Sequence, residues 1–253
     1  MLKLSTRNIA LVAVFAALYY VLSLVSPKIP SIGVSDLRIS LEALMASVFG
    51  FLLGPYLGAL TAFLGAFVTW VLPPASMIPT GAPFLLSPPL NALIVGFIFY
   101  RKWKWAFASF CLLIAAFLFL PPSQPITSYY YVSVAVLWDK VIAVLLIIPT
   151  VILSKKLSDP KSASIIFFLI SFIGNQADDM WGANIFAVPI VYGGLFGMPL
   201  DGVRVAFIVS PFIYPAIRFV QAIFATAIAV PVMLALRNTA WIIQEKSILE
   251  QKV

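Results

Sequence analysis

The chain has 253 residues, of which 62% are hydrophobic and only 10% are charged, with a formal net charge of +7. Soluble domains carry about 25% charged residues, and a chain of this length cannot hide so much apolar surface in a water-soluble fold. The lack of His and the single Cys exclude His-based catalysis, His-ligated metals and an internal disulfide. We predict an all-α, polytopic membrane helix bundle and expect no metal or other cofactor.

Eight segments are apolar enough to span a membrane, since a helix rises about 1.5 Å per residue across a hydrocarbon core of about 30 Å. The second, third and fifth segments end at Gly-Pro or Pro-Pro pairs. Pro ends a helix because it lacks a backbone donor and clashes with the preceding turn. The predicted spans are 8–26, 39–53, 56–72, 84–100, 105–120, 132–153, 164–192 and 206–236.

The loop charges predict the orientation of these spans. With eight spans, eleven Lys and Arg residues fall on one face of the membrane, and only Lys28, Arg38 and Arg204 fall on the other. We therefore predict a multi-pass cell-membrane protein with both termini in the cytoplasm. This topology explains the basic charge better than nucleic-acid binding does. An alternative is that the second and third segments form one re-entrant hairpin.

Small residues recur at every fourth position of spans two and three, from Ala46 to Ala66, and again at Ala13 and Ala17 of span one. Small side chains let helix backbones approach closely in lipid. For Ala13 and Ala17, both internal packing and docking on another membrane protein remain open.

Span seven carries a polar cluster in the outer half of the bilayer. Two adjacent ionised Asp residues repel each other, so we expect one to be protonated or paired. The amide side chains offer donors and acceptors, the Trp offers a stacking face, and Gly182 leaves room for a ligand near the backbone. The candidate binding residues of this span are Asn175, Gln176, Asp178, Asp179, Trp181 and Asn184.

Other spans contribute further candidates. In span eight, Arg218 and Gln221 lie one turn apart, and Arg218 is the obvious counter-ion for the carboxylates of span seven. A buried ion pair that only fixes helix packing and a ligand-binding set both remain open. In span six, Asp139 and Lys140 point about 100° apart. We therefore expect them to pair poorly, with Lys140 directed outward and Asp139 inward.

Asn91 of span four and Arg38, at the end of the first outer loop, complete the candidate binding set. An interhelical hydrogen bond is an equally open interpretation for Asn91. Residues 129–131 are three consecutive Tyr, which are more typical of interfacial anchors than of a ligand cage.

The chain resembles the substrate-binding (S) components of energy-coupling factor (ECF) transporters. The similar pattern is an Ala-rich first helix, the sequence Leu-Arg-Ile-Ser-Leu-Glu-Ala-Leu at 37–44, and a Gly-Pro turn followed by Gly-Ala-Leu within 50–60. The resemblance is clearest over residues 7–72 and returns more loosely in spans seven and eight.

This resemblance implies a subunit that binds a vitamin or related micronutrient in the membrane. It also implies a transmembrane scaffold subunit and two separate ATPases as partners, with Ala13 and Ala17 at the scaffold-docking positions. The core of that family has six spans. We therefore treat residues 1–253 as one membrane domain in which 104–155 form a possible two-helix insertion.

Two other function classes remain open. An autonomous proton-coupled secondary transporter could use the Asp residues as a relay, although the two halves of the chain show no convincing inverted repeat. An intramembrane enzyme could use Asp178 and Asp179 as an acid–base pair, but neighbouring residues of one helix point apart.

The binding-subunit prediction agrees with the lack of a Gly-x-x-x-x-Gly-Lys-Ser/Thr ATPase motif in the 253 residues. We predict a non-enzymatic subunit. The mixture of carboxylate, amide and indole groups further predicts a planar nitrogenous ligand that is thiamine-like, pterin-like or deazapurine-like.

Overall fold

A computed structural model describes residues 5–26, 28–30, 38–154, 160–209 and 211–236. This part of the chain contains eight α-helices and one short β-hairpin. In chain order they are α1 (Thr6–Val25), β1 (Lys28–Pro30), β2 (Arg38–Ser40), α2 (Met45–Val71), α3 (Ser87–Phe99), α4 (Trp103–Leu118), α5 (Ile126–Leu153), α6 (Pro160–Phe186), α7 (Leu200–Val209) and α8 (Ile213–Leu236). Short 3-10 segments cover Leu41–Leu44, Pro79–Leu86 and Pro121–Ser123, and a π-helical segment covers Ile190–Leu195.

The predicted helical membrane bundle is confirmed. Within the described residues, five helical segments are long and apolar enough to cross a bilayer, and α4 is apolar but shorter. The five segments are Thr6–Val25, Leu41–Val71, Pro79–Phe99, Ile126–Leu153 and Ile213–Leu236. The remaining long helix, α6, is the one that carries the adjacent Asp pair.

The helix α2 is folded back on itself at Gly54. This residue has φ 77° and ψ −179°, a left-handed backbone conformation that favours Gly, and Pro55 follows it. A Cβ atom placed on Gly58 would lie 2.7 Å from the carbonyl oxygen of Phe49. The two halves of α2 therefore run side by side in opposite directions. This geometry agrees with the separate predicted segments 39–53 and 56–72 and equally with the alternative of one re-entrant hairpin.

The predicted small-residue ridge serves internal packing. Ala46 and Ala62 are fully buried. A Cβ atom on Gly50 would lie 2.6 Å from the carbonyl oxygen of Ala92 in α3. The small side chains along this ridge let α2 and α3 approach at backbone distance.

Contacts between helices show how the bundle alternates in direction. Asn91 of α3 meets Asn175 of α6, whereas Phe99 meets Phe167, so α3 and α6 are antiparallel. Helix α8 is likewise antiparallel to α6. Arg218, near the start of α8, contacts Asp178 in the second half of α6, whereas the next residue, Phe219, packs against Phe168 in the first half of α6.

The first helix runs parallel to the second half of α2, since Tyr19 approaches Gly65 and Ser23 accepts a hydrogen bond from Thr69. The beginning of α1 and the end of α8 consequently lie at one end of the bundle. We call the opposite end, which carries the β-hairpin and residues 72–86 and 187–212, the hairpin end.

Three predicted boundaries differ from the structure. The predicted span 206–236 is two helices, α7 and α8, separated at Pro211, which cannot donate a backbone hydrogen bond. The predicted seventh span, 164–192, corresponds to α6, which ends at Phe186. The predicted loop before span six is partly helical, because α5 begins at Ile126. Hydropathy alone does not reveal such breaks inside an apolar run.

Helices α4 and α5 pack against the rest of the bundle. α4 lies against α3, α5 and α6, and α5 lies against α6. That residues 104–155 are an insertion stays a prediction.

The first helix presents two different faces. Val12, Ala16 and Tyr19 are buried against the bundle, whereas Ala13 and Ala17 are exposed on its outside. Packing among the described residues therefore leaves the Ala13–Ala17 face uncovered.

Candidate functional site

A cavity of about 570 Å³ lies at the hairpin end of the bundle. Its walls come from α1, the 3-10 segment Leu41–Leu44, α2, α3, α5, α6 and α8, and its rim comes from residues 74–88, α7 and the segment before α8. The volume lies within the range of about 300–1,000 Å³ that is usual for small-molecule sites.

Four charged side chains from three helices form the floor of this cavity. The Arg218 Nη2 atom lies 3.1 Å from Asp178 Oδ1 and 3.3 Å from Asp179 Oδ1. The Lys140 Nζ atom lies 2.5 Å from Asp179 Oδ2. Asp179 therefore joins a cation of α5 to a cation of α8. A buried ion network of this kind is retained at a substantial desolvation penalty.

The floor network contains more carboxylates than cations. A third carboxylate, Asp139, lies 2.9 Å from Lys140 through its Oδ2 atom and is buried. With Asp178 and Asp179 it makes three carboxylates against two cations, Lys140 and Arg218. Each cation already contacts two carboxylates. When all five groups are ionised the network carries one net negative charge.

The rim of the cavity is aromatic. Trp70, Phe84, Phe186 and Phe207 line it. The rings of Phe186 and Phe207 meet edge to face with centroids 5.8 Å apart. The Trp70 Nε1 atom donates to the carbonyl oxygen of Ile78 at 2.8 Å, which fixes the indole beside the rim segment. Such fixed aromatic faces suit a flat ligand.

Gly182 gives the wall its open surface. It lines the cavity one helical turn beyond Asp178. A Cβ atom placed there would meet its nearest heavy atom, Phe84 Cδ1, only at 4.0 Å. The room beside this residue is therefore part of the cavity itself.

The structure brings three of the predicted binding residues together on the cavity floor, namely Asp178, Asp179 and Arg218. The prediction that Arg218 is the counter-ion of the carboxylates is confirmed, and it pairs with both of them. Gln221 lies next to this group, where its Oε1 atom accepts a hydrogen bond from Arg218 Nη1 at 2.9 Å.

Asn91 and Asn175 lie away from the cavity walls, in a buried chain between helices. The Ser47 hydroxyl donates to Asn91 Oδ1 at 2.8 Å, and Asn91 Nδ2 donates to Asn175 Oδ1 at 2.9 Å. All three residues are fully buried. This geometry is the interhelical hydrogen bond that the sequence left open for Asn91.

The other candidates of α6 also point away from the cavity. Asn184 donates to the carbonyl oxygen of Leu113 in α4 at 2.9 Å. Trp181 does not line the cavity, although helical spacing places it one turn from Asp178. The remaining candidates, Gln176 and Arg38, lie elsewhere: Gln176 is fully buried off the walls, and the side chain of Arg38 lies outside the described residues.

The expectation that Asp139 and Lys140 pair poorly is wrong. They are hydrogen-bonded at 2.9 Å, and Lys140 is buried in the cavity floor rather than directed outward. Neighbouring helix positions diverge at the backbone, but the flexible four-carbon stem of Lys reaches back across that angle. Asp139 itself lies behind Lys140 and does not line the main cavity.

Sequence reasoning missed several lining residues. Lys140 had a usable signal, because a Lys inside an apolar helix requires a carboxylate partner. Glu42, another charged residue of an apolar stretch, lines the cavity as well. Tyr19 and the aromatic rim carry no such signal, since aromatic residues are common throughout the chain.

The chain matches the family model of the ECF-type riboflavin transporter, S component, over residues 3–191. No curated protein and no solved structure shows significant similarity to it. The match covers more than half of the chain and includes α1 to α6. Arg218, Tyr214 and Phe207 of the cavity lie beyond it.

Proposed function

The chain belongs to the family of S components of ECF-type riboflavin transporters, and we propose that it captures a flavin from outside the cell. Membership makes it a membrane-embedded, substrate-binding subunit for vitamin uptake, in a family of non-enzymatic transport subunits of the cell membrane. The cavity at the hairpin end is the site that we assign to the ligand.

The observation that carries the proposal is the two-part lining of the cavity. Aromatic side chains surround the rim, and charged hydrogen-bonding groups occupy the floor. A flavin has a planar tricyclic ring and a polyhydroxylated side chain, so it offers a matching apolar face and polar groups. It fits the expectation of a planar nitrogenous ring, and its isoalloxazine system contains the fused pteridine of the pterin-like alternative.

We further propose that separate ATPases energise uptake through a transmembrane scaffold subunit. The 253 residues contain no phosphate-binding ATPase motif. The exposed Ala13–Ala17 face of α1 offers a surface on which a scaffold helix could pack closely. The family favours this partner set. The loop charges favour a cytoplasmic location of both termini.

Calorimetric titration of the purified protein with riboflavin, thiamine and a pterin tests the ligand. We expect riboflavin to bind with at least 100-fold higher affinity than the others. Trp70→Phe should reduce the change of protein fluorescence on binding, because Trp70 lines the cavity, whereas Trp105→Phe, at an exposed position of α4, should leave it unchanged. Folded protein that binds none of the three compounds would contradict the proposal.

Reconstitution tests the partner. Liposomes that contain this protein alone should bind riboflavin without accumulating it, and accumulation should require a scaffold subunit, ATPases and ATP. Accumulation by the protein alone, driven by a proton gradient, would instead support the autonomous secondary transporter.

A further inference from the structure

Arg101 occupies a backbone position that usually belongs to Gly. It follows the end of α3 and has φ 62°, in the left-handed region. Its amide donates to the carbonyl oxygen of Ile98 at 3.2 Å. The amide of Lys102 donates to the carbonyl oxygen of Phe97 at 2.7 Å. These two hydrogen bonds define the Schellman motif, whose left-handed residue is most often Gly because a Cβ atom is strained there. An Arg in this place indicates that its side chain is used.

Packing and ion pairing within the described residues do not account for this side chain. Arg101 is exposed, and so is Lys104. Among the described residues, neither of them forms an ion pair with a carboxylate. The Lys102 ammonium faces the ring of Tyr56, 5.7 Å from its centroid. Three basic side chains thus follow one another closely, and we call Arg101, Lys102 and Lys104 the basic patch.

The basic patch lies at the end of the bundle opposite to the hairpin end. The hydroxyl of Tyr100 donates to the carbonyl oxygen of Phe51 at 3.0 Å, close to the turn at Gly54. Phe99 contacts Phe167 in the first third of α6. None of the three basic side chains lines the ligand cavity. The role of the basic patch is therefore separate from the binding of the transported ligand.

One face of α4 connects the basic patch to the lipid bilayer. Trp105 and Leu112 lie seven residues, or about two turns, apart on the same side of this helix. Their exposed fractions are 66% and 71%. In a bundle that spans a membrane, such an apolar face contacts lipid tails. Trp105 is next to Lys104 at the end of this face, and membrane proteins concentrate Trp at the level of the lipid headgroups.

The chemistry of the basic patch matches the headgroup of an anionic phospholipid. An Arg guanidinium can donate two parallel hydrogen bonds to a phosphate, whereas a Lys ammonium attracts it as a compact charge. Each Lys or Arg beside an anionic membrane surface strengthens the association about fivefold. Arg101 and Lys104 bring this charge to the edge of the lipid-facing side of α4 without a carboxylate partner among the described residues.

We propose that the basic patch and Trp105 bind the headgroup of an anionic phospholipid, whose acyl chains lie along the exposed face of α4. The structure favours a lipid over an acidic segment of a partner protein, because the basic patch continues directly into that apolar face. With the orientation proposed above, the lipid belongs to the cytoplasmic leaflet. This inference goes beyond the proposed function and does not depend on the identity of the transported ligand.

Native mass spectrometry of the full-length protein tests this lipid site. Protein in detergent is incubated with equal amounts of phosphatidylglycerol and phosphatidylcholine that carry the same acyl chains. We expect the wild type to retain phosphatidylglycerol about tenfold better than phosphatidylcholine. The combined variant Arg101→Gln, Lys102→Gln and Lys104→Gln should lose this preference.

A matched control separates the basic patch from positive charge in general. Lys155→Gln, Lys156→Gln and Lys161→Gln together remove the same charge from another basic segment of the chain. This control protein should keep the preference for phosphatidylglycerol. An equal loss of preference in both combined variants would overturn the inference, because net charge alone would then explain the binding.

Arg101→Gly distinguishes a lipid site from a structural role at the end of α3. Gly suits the left-handed conformation, so this variant should unfold at the wild-type temperature or above in lipid-free detergent. It should nevertheless retain about fivefold less phosphatidylglycerol. A lower unfolding temperature with unchanged lipid retention would show that the side chain serves only the helix end, and would overturn the inference.

Equal retention of the two lipids by folded wild-type protein would also overturn the inference. If the combined variant of the basic patch keeps its lipid but no longer assembles with a scaffold subunit and ATPases, the basic patch is a protein-docking surface instead. Riboflavin affinity in detergent should be the same in all these proteins, because the basic patch lies away from the cavity. Failure of every one of them to bind riboflavin would contradict the proposed function and leave the lipid site standing.

Discussion

The Lys140 ammonium lies 2.5 Å from a carboxylate oxygen of Asp179, inside the bundle and shielded from lipid. This pair joins α5 to α6 at the cavity floor, and Arg218 continues the connection to α8. The same groups that fix the relative positions of three helices are therefore those offered to a ligand. Binding and helix packing are coupled at this point.

Lys140→Met tests the structural part of that coupling. The substitution keeps the apolar stem but leaves Asp139 and Asp179 without a shared cation. Removing one partner of a buried pair destabilises a protein by about 3–5 kcal/mol. Thermal unfolding in detergent should therefore occur at a clearly lower temperature. Lys104→Met, at an exposed position of α4, should unfold like the wild type, and equal unfolding temperatures of the two variants would refute the role of Lys140.

Arg218→Lys tests the geometry of the second cation. The guanidinium contacts Asp178, Asp179 and Gln221 through two nitrogen atoms at once. A Lys ammonium keeps the charge but cannot reproduce this fork. We expect riboflavin affinity to fall about tenfold, which corresponds to about 1.4 kcal/mol. The control is Arg101→Lys, at an exposed position outside the cavity. Equal riboflavin affinities of the two variants, measured by titration, would show that the fork geometry of Arg218 does not contribute to binding.

Gly58→Ala tests the folded-back form of α2. The added methyl group would lie 2.7 Å from the carbonyl oxygen of Phe49, which cannot move without displacing the other half of the helix. Overpacking of this kind destabilises a protein by about 1–3 kcal/mol. Gly193→Ala is the matched control, because its Cβ would meet the nearest heavy atom only at 4.0 Å. If Gly58→Ala unfolds at the wild-type temperature, the two halves of α2 do not lie against each other as described.

Asn175→Ala separates packing from binding. Its Oδ1 atom accepts the buried hydrogen bond from Asn91, so we expect a loss of about 1–2 kcal/mol of stability. Riboflavin affinity should stay within about twofold of wild type, because Asn175 does not line the cavity. Ser171→Ala is the control, since the Ser171 hydroxyl is buried without a hydrogen-bond partner in the described residues. A large loss of affinity in Asn175→Ala would return this residue to the binding set.

Much of the fold follows from the sequence, because hydropathy and Pro positions predict where apolar helices begin and end. The alternation of helix directions was implied by the loop charges, and the contacts of Asn91 and Phe99 with α6 agree with it. The break at Pro211 escaped prediction since apolar runs lie close on both sides, at 205–209 and 212–213. A single Pro can either kink a helix or end it, and only the packing of the neighbouring helices decides.

The site was predictable only in part. Charged residues in apolar helices are expensive in lipid, so Asp178, Asp179 and Arg218 stood out. Which amide side chains face the ligand depends on the rotation of α6 in the bundle, and that rotation is set by α3 and α4 through Asn91 and Leu113. A single sequence does not show which residues of α3 and α4 contact α6.

Whether riboflavin occupies this cavity can be tested with Gly182→Leu, whose affinity for riboflavin is measured by calorimetric titration beside Gly182→Ala and the wild type. The Leu side chain would extend into the cavity, where the nearest atom to its Cβ is 4.0 Å away. We expect Gly182→Ala to bind within a few-fold of wild type and Gly182→Leu to lose at least 100-fold in affinity while unfolding at the wild-type temperature. Wild-type affinity in folded Gly182→Leu would show that the ligand does not occupy this cavity.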